Sequence, residues 1–132
     1  MSVAGGNAVH VAANRAWTPT GINVRAGDTL TFSASGQVQL STDANNVANP
    51  DGVQAKPVGP RGSLPGVNVG ALIGRIGNGK PWGLGNQTTI TAPASGPLYL
   101  GVNDDVFTDN SGEFVVNVSV AGGTTTGGVR RR

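Results

Sequence analysis

Gly101–Val116, GVNDDVFTDNSGEFVV, is the stretch on which the reading of this chain turns. Four of the seven carboxylates in the chain, Asp104, Asp105, Asp109 and Glu113, fall inside it. Like charges a few ångströms apart repel by roughly 1 kcal/mol even in water, so such a cluster calls for a cation, hydrogen-bond donors or full solvation. Strand-like sequence flanks it, Pro97-Leu-Tyr-Leu100 before and Glu113–Val120 after. The acidic segment therefore reads as a hairpin loop loaded with oxygen ligands. Hard cations such as Ca²⁺ take about six to eight oxygens from carboxylates, amides, carbonyls and water. Asp104, Asp109 and Asn110 supply such side chains, and Thr108 a backbone carbonyl. The spacing is not that of an EF-hand, which alternates ligands around a central Gly and closes with Glu. The competing reading is a solvated acidic turn in which Asp and Asn supply only turn geometry.

Outward from that loop, the sequence is strand and turn. Thr29–Ala34 alternates, with Leu30, Phe32 and Ala34 on one face and Thr29, Thr31 and Ser33 on the other, the pattern of a half-buried antiparallel strand. Gly36 permits a bend or bulge, after which Gln37–Leu40 continues extended. Ala8–Ala13, Ile22–Val24, Val69–Ile76, Gln87–Ala92 and Leu98–Val102 read as further strands. With 132 residues, 22 Gly, 8 Pro and only 12% charged side chains, the expectation is one all-β domain over residues 1–120. A Gly/Thr-rich basic tail, residues 121–132, has linker composition.

Two segments carry further candidate contacts. Ser41–Val69 is long, rich in Asn, Gly and Pro, and poor in apolar periodicity. Loops of that length without structure are usually functional or disordered. Its Asn45, Asn46, Asn49, Asp51 and Arg61 are candidate polar ligand contacts, with a solvated surface excursion as the alternative. Trp82, in Pro81-Trp-Gly-Leu-Gly85, reads as packing at a sandwich rim, with a sugar-stacking platform as the alternative.

Other classes are disfavoured. No Cys is present, which removes disulfides and thiolate metal sites. The net charge of +2 comes from nine basic and seven acidic residues, and three of the nine are Arg130, Arg131 and Arg132. The six others are scattered without interleaved aromatics, so no nucleic-acid partner is expected. No apolar run reaches the roughly 20 residues of a membrane span. Met1-Ser2-Val3 does not begin a secretory signal, which points to a chain that stays inside or to a processed form. Gly74-Arg-Ile-Gly-Asn-Gly79 is only superficially a nucleotide fingerprint, since no helix pattern follows it. His10, the one histidine, has no paired nucleophile. Asp104 and Asp105, adjacent at a strand end, should point to opposite faces and so form no catalytic dyad.

Four pieces, Arg25-Ala-Gly-Asp-Thr-Leu-Thr-Phe32, Ala34-Ser-Gly36, Gly70-Ala-Leu-Ile-Gly-Arg-Ile-Gly-Asn78, and Asn103-Asp104 followed by Asn110-Ser-Gly-Glu-Phe114, occur in this order. Together they resemble the LecA-like bacterial galactophilic lectins over about Ala13 to Val120. The resemblance implies a single jelly-roll β-sandwich of the galactose-binding-domain type. It also implies one Ca²⁺ at the sandwich edge, its coordination completed by sugar hydroxyls. On that basis Asp104 takes the place of the family's Asp after Asn, Asn110 that of the Asn before Ser-Gly, and Asp109 that of another Asn. Thr108 takes the loop carbonyl, and Leu40 the carbonyl after Ala34-Ser-Gly36.

The departures matter. The loop from Asp104 to Asp109 is shorter than the family's, and the sugar-reading His-Pro-Asp-Gln segment is missing, with Asn49-Pro-Asp-Gly52 a poor substitute. Galactose specificity therefore does not carry across, whereas calcium does. The expectation is a non-catalytic, extracellular or cell-surface lectin-like module whose partner is a saccharide or glycoconjugate. Its sugar contacts would be Asp104, Asp105, Asp109, Asn49, Asp51 and Trp82. The rival is a structural or adhesion subunit of a bacterial surface layer or filament, a homo-oligomer assembled through the sandwich and the terminal segments.

Overall fold

The computed structural model describes residues 7–122; residues 1–6 and residues 123–132 of the basic tail lie outside the described residues. Nine strands form: β1 (Asn7–Ala12), β2 (Thr18–Val24), β3 (Thr29–Gln39), β4 (Val47–Ala48), β5 (Leu72–Ile76), β6 (Trp82–Gly83), β7 (Gln87–Thr91), β8 (Gly96–Val102) and β9 (Ser111–Ala121). No helix occurs among the described residues. One sheet runs β1-β9-β3, with β4 and β7 both on the far edge of β3; the other runs β2-β8-β5-β6. Every strand pairing is antiparallel.

The alternating residues meet between the sheets. Leu30, Phe32, Phe114, Val116 and Val118 from the first sheet pack with Leu72, Leu98, Leu100 and Val102 from the second. Each such side chain contributes about 1.5–3 kcal/mol on full burial, which makes this layer the main source of stability. The chain stays extended through Gly36. Gly36 takes φ +107°, a Cβ there would stand 2.9 Å from the Glu113 carbonyl, and β3 passes through it in unbroken register with β9.

The expected hairpin is corrected by the sheet topology. β8 pairs with β2 and β5, whereas β9 pairs with β1 and β3, so residues 103–110 cross from one sheet to the other at one end of the sandwich. The physical reason is that both strands are apolar on one face and central in their sheets. They bury those faces against each other across the core rather than pairing edge to edge. Glu113 accordingly leaves the acidic cluster: it stands on β9 and pairs with His10 of β1 on the exposed face.

Ser41–Val69 is more ordered than its composition implies. Val47 and Ala48 pair with Gln39 and Val38, and Pro57 bridges Asn68. Val53 N–H donates to Val69 O and Val58 N–H to Val67 O, each at 2.8 Å. Val58 is buried outside the main core. The strand expected from Val69 begins only at Leu72, because Gly70 turns the chain with φ +85°.

Candidate cation-binding site

The crossing loop ends where three strand ends converge. The β1–β9 ladder closes at Ala12 opposite Glu113, and the β3–β9 ladder at Gln39 opposite Ser111. Asn110 therefore precedes the central strand β9; one step beyond the β3 register it faces Leu40, while the Ala13 N–H donates to the Gly112 carbonyl at 3.0 Å. The Asn110 amide nitrogen donates to the Ala13 carbonyl and to Asp104 Oδ2, both at 2.9 Å. Asp104 Oδ1 accepts from the backbone N–H of Asp105 at 2.8 Å and of Val106 at 3.4 Å. The acidic side chain is thus folded back into its own loop, only 5% exposed.

Two features of this arrangement are unbalanced. A buried carboxylate is costly without a countercharge, yet His10 pairs with Glu113, and among the described residues no cationic side chain pairs with Asp104. Asn110 Oδ1 is buried with no hydrogen-bond partner at all. A negative charge beside an orphaned amide oxygen is the donor set of a hard cation. The turn Phe107–Asn110, closed by Asn110 N–H to Phe107 O at 3.1 Å, leaves the Thr108 carbonyl outside its own hydrogen bond. Among the described residues no three His, Cys, Asp or Glu side chains cluster, so a cation here would need amide and carbonyl oxygens as well as carboxylate.

The family described as PA-IL-like protein matches residues 6–122 of the chain. The chain belongs to the PA-IL-like family. Lectin A of Photorhabdus laumondii subsp. laumondii is 38% identical over 104 residues, covering 76% of this chain and 80% of that protein. Among solved structures, the N-terminal domain of EclA, described as a PllA-like lectin, superposes with a TM-score of 0.69 at 28% identity, covering 86% of this chain and 94% of that one. The family and the two-sheet β-sandwich are those expected from the resemblance.

Within this PA-IL-like domain the candidate residues separate into groups. Asp104 and Asn110 are joined by a hydrogen bond, and Leu40 follows Gln39, the last β3 residue paired with β9. Leu40 packs on Gly70, whose N–H donates to the Asn103 carbonyl at 2.6 Å, next door to Asp104. Thr108 and Asp109 occupy the exposed tip of the loop turn, and the Asp105 side chain is exposed beside it. Asn49 and Asp51 line a polar depression of about 360 Å³ with Gly52, Gln54 and Asn68, and the Asn68 carbonyl in turn accepts from Asn103 Nδ2 at 3.3 Å. Trp82 is half-buried on the edge strand β6, two strands from β8, against the core and an apolar pocket with Ile90 and Pro93.

Asp51 has a structural occupation. Its Oδ1 accepts the Asn86 N–H at 2.9 Å and its Oδ2 the Asn86 side-chain amide. That ties the long loop to the approach to β7. Asp51→Ala is expected to lower stability by about 1 kcal/mol, the usual scale of an exposed charge-assisted hydrogen bond, and to leave calcium affinity unchanged. Urea denaturation and calorimetry would measure the two effects separately. Asn103, Asn86 and the Ala13 carbonyl were not assigned to the site by sequence reasoning. Only Asn103 carried a signal there, as the residue before Asp104 in the motif.

Proposed function

We propose that this chain is a calcium-dependent, non-catalytic carbohydrate-binding module. The observation that carries the reading is the buried Asp104 carboxylate, without a cationic partner among the described residues, beside the orphaned Asn110 oxygen. Asp104 and Asn110 would hold Ca²⁺, with Asp109 and the carbonyls of Thr108 and Leu40 as further oxygen ligands. When bound, the ion supplies coordination positions at which paired saccharide hydroxyls replace water. Asp105 and Asp109, exposed at the loop rim, would accept hydrogen bonds from those hydroxyls. The lectin relatives support the saccharide as the ligand class.

The catalytic alternative has less support. Asp104 turns inward to Asn110 while Asp105 is exposed, so the two carboxylates do not face a common cleft. A glycan array probed in millimolar calcium and again with chelator tests the proposal. The expected result is a saccharide-specific signal that chelator removes. Signal that survives chelation would overturn the calcium dependence, and no signal under either condition would overturn the carbohydrate reading.

A further inference from the structure

Asn103 is completely buried, and both its amide oxygen and its amide nitrogen are bonded to one distant segment. Its Oδ1 accepts the Leu64 N–H at 2.8 Å. Its Nδ2 donates to the carbonyls of Leu64 and Val67, each at 3.0 Å, and of Asn68 at 3.3 Å. The main chain reinforces the clamp: Asn103 N–H donates to Ala71 O at 2.8 Å, and Ser63 N–H to the Asp104 carbonyl at 3.2 Å. We infer that Asn103 is a positioning residue that fixes Ser63–Asn68 as one wall of the ligand site and thereby sets which saccharides fit. The inference rests on the carbohydrate-binding function proposed above.

The argument is one of chemistry and adjacency. Ser63–Val67 forms no strand; its backbone is held by Val58, which bonds Gly66 and Val67, and by the Asn68–Pro57 bridge, and the Asn103 side chain adds four bonds across Leu64, Val67 and Asn68. Only a primary amide offers an acceptor and two donors on one planar group. An Asp of the same shape lacks the donors, and a Leu lacks both. The same dipeptide therefore serves two purposes. Asp104 turns its carboxylate toward Asn110, while Asn103 and the Asp104 carbonyl hold the 63–68 segment against it. Because Asn103 contributes nothing to the cation's donor set, its loss should separate ligand selectivity from ion binding.

The test compares wild type with Asn103→Ala in three measurements: calcium calorimetry, a glycan array in saturating calcium, and amide hydrogen exchange. The expected outcome is a calcium Kd within about threefold of wild type and saccharide affinity weakened about tenfold or more. A narrowed spread between preferred and rejected glycans, and faster exchange at residues 63–69 but not in β9, should accompany it. If the variant binds the same glycans with the same affinities, the inference is overturned while the proposed function stands. A wild type that binds no glycan overturns both. Because the substitution removes a buried group, the wild type supplies a measurement that needs no variant. Slow exchange of the Leu64 amide supports the clamp, and exchange at the free-chain rate overturns it.

Discussion

Asp104→Ala is expected to abolish calcium binding: calorimetry of wild type should give a saturable isotherm and the variant a flat one. Asp104 supplies the only buried carboxylate of the crossing loop, held against Asn110 at 2.9 Å with no cationic partner among the described residues. Removing it deletes the charge that draws in a divalent ion. In the absence of calcium the effect on stability should be small, because two terms oppose each other. Asp104 accepts from Asn110 and from two loop amides, bonds worth about 1 kcal/mol each. Against that, burying an uncompensated carboxylate costs several kcal/mol, which the substitution relieves. With calcium at a hundredfold excess over Kd, the wild type gains about 2.7 kcal/mol by linkage and the variant gains nothing. The contrast is therefore sharpest in thermal unfolding with and without the ion: wild-type Tm rises and the variant's stays put. A calcium-dependent rise in the variant equal to that of wild type would exclude Asp104 as a ligand.

What could be read in advance follows a physical division. Leu30 and Phe32 disclosed β3 because alternation at period two is written in consecutive residues. Asn103-Asp104 and Asn110-Ser-Gly112 were legible as a pattern for a related reason, since both halves lie within one short loop. The hairpin expectation failed because nothing local says whether two adjacent strands pair edge to edge or pack face to face. That choice is made by β1, β2, β3 and β5, the strands that flank them. Non-local chemistry was equally hidden. The amide of Asn103 reaches Leu64, Val67 and Asn68, and the carboxylate of Asp51 reaches Asn86, over separations of 35 to 39 residues. The long loop looked structureless because its order comes from such reaches and not from apolar periodicity. Trp82 shows the converse: read as packing at a rim, it stands half-buried against the core. The terminal segments on which the self-assembly rival leaned lie mostly outside the described residues.

Gly70 is the point where fold and site meet, and Gly70→Ala tests whether core packing is what sets the site. Its φ of +85° belongs to a region that L side chains enter at a cost of roughly 1–2 kcal/mol. A Cβ at that position would lie 2.6 Å from Ala48 Cβ and 3.0 Å from Leu40 Cδ1, so the two residues under the site would have to move. Overpacking of that kind typically costs a further 1–3 kcal/mol, for a total of about 2–5 kcal/mol. For a domain of this size that corresponds to a fall in Tm of roughly 10 °C. The same displacement should reach calcium affinity, because Leu40 is one proposed carbonyl ligand and the Gly70 N–H holds the Asn103 carbonyl at 2.6 Å, immediately before Asp104. Unfolding in excess chelator isolates the packing cost, and calorimetry on the folded variant then reads the ion affinity. An unchanged unfolding midpoint in chelator would mean that Leu40 and Ala48 yield freely. In that case the Leu40 backbone is not held in place by packing, and the ion would have to be supported by the crossing loop alone.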